Sequence, residues 1–285
     1  MPGGEAHLGA DLDLLARAAR EAGAIALGFF RRDPTVWEKS GGSPVSEADV
    51  AADRHLGEVL RAARPDYGWL SEETTDGPER LAKRRVFVVD PIDGTRAFLR
   101  GEEEWAVSVA VVEAGRPIVA ALFQPVTGHL MTATAGGGAH CEGRRLIASN
   151  RSELRGARIA APRKYMEKKE LREVAFGSHR FVPSLALRIA WVADDRVDVA
   201  YGTGNAHDWD LAAADLLVHE AGGRFTDPNG EPIRYNAAVP SHPPLVAAVP
   251  GLHDDARHLL ARVMGTDGAR RAGAALPHTG HGRRT

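Results

Sequence analysis

Cysteine is almost absent from this sequence. Cys141 is the only one in 285 residues, which excludes an intrachain disulfide and any metal site built on cysteine pairs. A metal, if one is used, must be held by oxygen or histidine. Long apolar runs are also missing, so nothing reads as a membrane-spanning helix. Neither sign of charge dominates, with 36 Lys and Arg against 38 Asp and Glu for a net charge of -2. A nucleic-acid polymer or a membrane surface is therefore not the expected partner. No Gly-x-x-x-x-Gly-Lys loop, no Gly-x-Ser-x-Gly elbow and no His-Glu-x-x-His pair occurs, and no repeat of about 20 to 50 residues. The opening MPGGEAHLGADLDLLARAAR carries acidic residues where a secretory signal has a basic segment and an unbroken apolar one, so a cytoplasmic protein is expected.

What is present is the composition of a globular protein, 44% hydrophobic and 26% charged. The length allows one large domain or two modest ones sharing a core. From Leu12 to Phe30 apolar residues recur every three or four positions, which predicts an amphipathic helix. A second helix is expected after Ser46, an N-cap with Asp49 three residues on, closed by Pro65. Strands follow at 86–90 and through 105–139, broken by turns at EAGRP and PVTGH, and again at ARIAAP and RVDVAYG. The last clear helix is DWDLAAADLLVHEAGG, stopped by Gly222 and Gly223, and RFTDPNGEPIRY after it reads as strand, turn and strand. Helices flank the strands without regular alternation, which favours a layered α+β fold over a doubly wound parallel sheet. The expected division is an N-terminal half, 1–155, facing a C-terminal half, 156–265, across a cleft. The tail 266–285, rich in Gly, His and Arg, should be loosely ordered.

The stretch VFVVDPIDGTRAF, residues 86–98, carries the chemistry. An apolar strand runs into Asp90 and Asp93, with Pro91 fixing the backbone and Gly94 allowing a sharp turn. Two carboxylates aimed at one small volume repel unless a proton or a cation sits between them. Mg²⁺ takes oxygen ligands and keeps positions open for water and phosphate, so a magnesium site is the simplest explanation. Backbone N–H groups of Gly94 and Thr95, at the start of a helix, suit phosphate oxygens. A local reading competes: Asp90 and Asp93 could cap turns, Asp49 could only cap its helix, and Asp210 could be a helix cap. Further acidic residues stand at SEE, 71–73, and at DWD, 208–210. Haloacid-dehalogenase-type phosphatases also end a strand in Asp-Gly-Thr, but the position of their nucleophile is Pro91 here, which removes that chemistry.

Taken in order, SPVSEAD, GWLSEE, VFVVDPIDGTRAF and HDWDLAAADLLVHEAGG resemble the four blocks of the lithium-sensitive, magnesium-dependent phosphomonoesterases of the inositol monophosphatase superfamily, over roughly residues 10 to 240. The resemblance implies a layered αβαβα sandwich of the inositol monophosphatase/fructose-1,6-bisphosphatase type. It implies hydrolysis of a small phosphate monoester by a metal-activated water, with two or three Mg²⁺ ions. It places Glu72, Asp90, Asp93, Asp210 and the carbonyl of Ile92 as metal ligands, and Thr95 with Asp49 and Glu72 in catalysis. Gly94, Thr95 and Asp210 would also meet the substrate, and Lys39 would lie beside the metal waters. A homodimer is common in the superfamily and is expected here.

Substrate choice rests on two positions. Inositol-cleaving members carry a glutamate seven residues before the last metal-binding Asp, where this chain has Thr203. Arg188 falls where 3'(2'),5'-bisphosphate nucleotidases tend to carry a lysine, and a cation there could receive a second phosphate. A surface arginine on an amphipathic helix is the plain alternative. The expected substrate is adenosine 3',5'-bisphosphate, with inositol 1-phosphate and histidinol phosphate as alternatives and a non-catalytic metal- or nucleotide-binding module as the reading outside enzymology. His207 and Asp208 could also touch substrate.

Overall fold

The computed structural model describes residues 2–39 and 44–273, with the side chains of 8–39 and 44–265. Helices α1 (Pro2–Leu27) and α2 (Glu47–Ala63) come first. Seven strands then form one sheet in chain order: β1 (Gly68–Ser71), β2 (Arg85–Asp93), β3 (Ala106–Glu113), β4 (Arg116–Gln124), β5 (His129–Thr134), β6 (Gly138–Cys141) and β7 (Arg144–Arg145). Only β1 and β2 pair in parallel; the other neighbours are antiparallel. A short helix α3 (Thr95–Leu99) interrupts the sheet after β2.

The second sheet has five strands: β8 (Arg158–Ala160), β9 (Ser178–Arg180), β10 (Val199–Gly202), β11 (Arg224–Thr226) and β12 (Leu245–Ala248), in the order β9-β8-β10-β12-β11. Helices α4 (Leu185–Ala190) and α5 (Asp208–Glu220) lie between the sheets, and α6 (His253–Gly273) packs outside the second.

Alternation along the strands builds these layers, because successive side chains of a strand point to opposite faces. Phe87, Val89, Val107, Val109 and Val111 pack on Leu15 and Leu56 of α1 and α2. Their neighbours Val86, Val88, Ala110 and Val112 face inward with Leu211 and Leu217 of α5. In the second sheet, the Tyr201 hydroxyl donates to the carbonyl of Ala256 in α6 at 2.8 Å, while Gly202 faces Leu185 of α4. The result is the expected layered sandwich: helices, sheet, helices, sheet, helix.

Element boundaries follow local signals where these are strong. Ser46 caps α2, and the Asp49 carboxylate accepts from the Ser46 backbone N–H at 2.8 Å, a capping box. Three expectations change. The helix at 208–220 is not the last, since α6 follows. The turn after β11 does not lead into a second strand: Asp227 accepts the N–H groups of Asn229 and Glu231 at 2.8 and 2.9 Å, and Pro232 has no N–H to donate, leaving a single bridge from Thr226 to Pro232. Residues 266–273, expected to be loose, continue α6, consistent with the helix propensity of Ala269 to Ala272. The rest of that tail, 274–285, lies outside the described residues. No helix among the described residues is long and apolar enough to cross a membrane.

Candidate active site

Asp90 and Asp93 are three residues apart, so a regular strand would send their side chains to opposite faces. The pairing of β2 with β3 resolves this. Asp90 lies opposite Ser108 and Asp93 opposite Ala106, so three steps on one strand match two on the other. The extra residue is a bulge, which restores the parity and aims both carboxylates at the same volume. Pro91, with no N–H for the ladder, sits inside that bulge. Asp90 Oδ1 accepts from the Ile92 N–H at 2.9 Å, which holds the turn from within.

Three other elements bring acidic groups to the same place. Glu72 extends β1, and its N–H donates to the Val89 carbonyl at 3.2 Å, alongside Asp90. Asp210 stands in the first turn of α5, its carboxylate accepting from the His207 N–H at 2.6 Å. The Ser108 hydroxyl donates to the Trp209 carbonyl at 3.1 Å and ties that turn to the strand beside Asp90. Asp93 faces the start of α4, where it accepts from the Ser184 hydroxyl and from the N–H groups of Ala186 at 2.8 Å and Leu185 at 3.3 Å. One oxygen from each of Asp90, Asp93 and Asp210 lies within 4.8 Å of the others. With Glu72, these three form the floor of a cleft of about 300 Å³ that Ile92, Gly94 and Thr95 also line.

The electrostatics of the floor call for a cation. Burial, and then the charges of Glu72 and Asp93, push the Asp90 carboxyl well above its usual range. Burial, and then the charge of Asp93, do the same to Asp210. Burial raises Asp93 to about 6 even though Ser184, Ala186 and Leu185 favour its ionised form. Lys39 and Arg188 stand near the floor, but neither pairs with Asp90, Asp93 or Asp210. Lys39 Nζ is 3.1 Å from Glu72 Oε1 and 2.6 Å from Glu73 Oε1. Arg188 is turned to backbone carbonyls. An all-oxygen, strongly anionic donor set with open cleft volume above it fits Mg²⁺, a hard cation that retains water.

Beside the floor, Thr95 Oγ1 lies 3.2 Å from Asp49 Oδ1 and 3.0 Å from the Ile92 carbonyl. Asp49 Oδ2 is held by the N–H and hydroxyl of Ser46 at 2.8 and 2.6 Å, so one carboxylate both caps α2 and reaches Thr95. Capping and proximity to the site are compatible roles. Burial raises the Asp49 pKa.

Gly94 makes the turn possible. Its φ of 98° lies in the left-handed region, and a Cβ there would sit 3.1 Å from the Glu104 carbonyl oxygen. Gly94→Ala is expected to cost about 1–3 kcal/mol, read as a lowered thermal midpoint. Phosphate release should fall more than stability alone explains, because the displaced N–H groups are those at the cleft.

The specificity positions require correction. Arg188 is 7% exposed and does not line the cleft. Its Nε and Nη2 donate to the Val182 carbonyl at 3.0 and 2.5 Å, and Nη1 donates to the Tyr201 carbonyl at 3.2 Å. Burial lowers its pKa to about 10, and its role is to tie α4 to its surroundings, not to receive a second phosphate. Thr203 does not line the cleft either. Asp208 is fully buried, bonded to His242 Nε2 and the Asn236 N–H, each at 2.6 Å, and His207 stacks on Trp209 at 4.6 Å.

Sequence reasoning missed several contributors. Ser184 positions Asp93, and its only signal was its place before an apolar helical segment. Asp53, one turn after Asp49, accepts from the hydroxyls of Ser71 at 2.5 Å and Thr74 at 2.7 Å, bracketing Glu72 from both sides. Pro44, Arg96, Arg100, Phe181 and Pro183 complete the lining.

Comparison with known proteins agrees with this architecture. The model of the inositol monophosphatase family matches residues 11–263. An inositol-1-monophosphatase of Rhizobium meliloti is 38% identical over 200 residues, 65% of this chain and 73% of the relative. The Nus factor SuhB of Xylella fastidiosa is 34% identical over 238 residues, 77% of this chain and 82% of the relative. The crystal structure of extragenic suppressor protein suhB from Bartonella henselae superposes with a TM-score of 0.78 at 30% identity, covering 88% of this chain and 98% of the other. The chain belongs to the inositol monophosphatase family.

Proposed function

We propose that this chain is a Mg²⁺-dependent phosphomonoesterase acting on a small phosphate ester. The observation that carries this reading is the buried floor of Asp90, Asp93 and Asp210, with Glu72 beside it and open volume above. Glu72, Asp90, Asp93, Asp210 and the Ile92 carbonyl would hold the ions. A divalent cation there supplies a water of lowered pKa and positive charge against the phosphate oxygens.

The remaining steps belong to the chain's own side chains and amides. The Gly94 and Thr95 N–H groups, at the start of α3, would orient the phosphate. Thr95, paired with Asp49, is placed to take part in the proton transfer that frees the attacking oxygen. Burial keeps the Asp49 proton affinity high, which suits an acceptor at the far end of that relay.

With Arg188 removed from the cleft, preference for a bisphosphorylated nucleotide loses its first support. Phosphate release from inositol 1-phosphate, adenosine 3',5'-bisphosphate and histidinol phosphate, with and without Mg²⁺, tests the reading. Magnesium-dependent release from at least one ester is expected. Absence of release from all three, with Mg²⁺ bound, would leave a metal-binding module instead.

A further inference from the structure

The mouth of the cleft is built from different residues than its floor. Arg96 and Arg100, one helical turn apart, are both exposed and both line it, with Phe181 and Pro183. Glu102 accepts from Arg100 Nε at 2.7 Å and Nη2 at 2.9 Å, which fixes that guanidinium. Arg100 Nη1 makes no hydrogen bond among the described residues. Phe181 is 44% exposed, and the Arg163 guanidinium lies 5.3 Å from its ring centroid. A flat apolar surface thus stands beside two guanidinium groups.

We propose that the cleft takes a phosphate monoester with a flat body and a second anionic group. The ester phosphate goes to the carboxylate floor, the body lies against Phe181, and the second anion meets Arg96 and Arg100. This rests on the phosphomonoesterase reading of the floor. The guanidinium fork binds phosphate or carboxylate by charge-assisted, geometrically specific bonds. Because Glu102 already orders Arg100, less rotamer entropy is lost when the anion arrives. An ester whose far end is an ammonium meets repulsion at the same place. Among family-type substrates this orders a bisphosphonucleotide ahead of a neutral polyol phosphate, and histidinol phosphate last.

The test compares wild type with an Arg96→Gln/Arg100→Gln double variant, an Arg100→Lys variant and Phe181→Ala. Each is assayed with Mg²⁺ on phenyl phosphate, 4-carboxyphenyl phosphate, adenosine 3',5'-bisphosphate and inositol 1-phosphate. Wild type should favour the two doubly anionic esters over phenyl phosphate by about tenfold or more in kcat/KM. The double Gln variant should raise KM for those two by about tenfold at little-changed kcat, and KM for phenyl phosphate by less than twofold; Arg100→Lys should recover part of the loss. Phe181→Ala should raise KM for the three aromatic esters and leave inositol 1-phosphate unchanged. The better of the two doubly anionic esters tells whether the second anion is a phosphate or a carboxylate. Equal changes for all esters, or no change, would overturn the assignment of the mouth while leaving the floor intact. A wild-type protein that releases phosphate from none of the esters would overturn both.

Discussion

Asp93→Asn is expected to lower kcat for Mg²⁺-dependent phosphate release by about 10²–10³-fold, the scale of losing one preorganised electrostatic contact in an active site. The substitution is nearly isosteric, and it reduces the floor's charge at the one carboxylate that three donors of α4 already hold in place. The fold should survive, because the side chain keeps its shape and can still accept hydrogen bonds through its amide oxygen. Steady-state kinetics over a range of Mg²⁺ concentrations would separate weaker metal binding from slower chemistry.

The same substitution has a signature in metal-free protein. The folded-state pKa of Asp93, about 6, lies above its ordinary value of 3.8. The folded state therefore holds the proton more tightly than the unfolded chain does. This contribution to stability is fully present below about pH 4 and is lost as pH rises through about 6. In EDTA, the thermal midpoint of wild type relative to Asp93→Asn should fall between those pH values. Mg²⁺ should raise the wild-type midpoint above pH 6, where Asp93 is ionised, and should raise that of Asp93→Asn less. A gap independent of pH would show that Asp93 does not carry the strained charge.

Thr95→Ala is expected to reduce kcat by about 10²–10⁴-fold, the usual contribution of a positioned proton-transfer group, while KM and the thermal midpoint change little. Thr95 is only partly buried, and its hydroxyl can donate to one partner at a time, Asp49 or the Ile92 carbonyl. In the proposed reaction it would donate to Asp49 while accepting from the attacking water. Thr95→Ser retains the hydroxyl and should recover most of the activity. Asp49→Asn is a less clean probe, since Asp49 also caps α2, and its effect would mix lost chemistry with lost stability.

Much of the site was legible because its signals are local. An apolar strand ending in Asp-Pro-Ile-Asp-Gly-Thr signals converging carboxylates, a sharp turn at Gly94 and a helix start, whereas the bulge appears only in the pairing of β2 with β3. Ser46 with Asp49, and Asp208 to Gly223, likewise mark helix boundaries within a few residues. Convergence was not legible from the residues one by one. Glu72 and Asp210 are 138 positions apart and meet only because β1 runs parallel to β2 and α5 packs on the sheet beside Ser108. Arg188 shows the limit most clearly: an arginine on an apolar helix usually turns its charged end to water, but the carbonyls of Val182 and Tyr201 lie where they can receive it. Arg96 lies inside the most informative motif and Arg100 just beyond it, and both were read past, because their meaning depends on Phe181, some eighty residues later.

The most direct measurement is a calorimetric titration of Mg²⁺ into the full chain and into Asp93→Asn at pH 7.5. Saturable binding by wild type that is weakened at least tenfold in the variant is the predicted result. Absence of binding by wild type, or equal binding by both proteins, would contradict the assignment of the carboxylate floor as the metal centre.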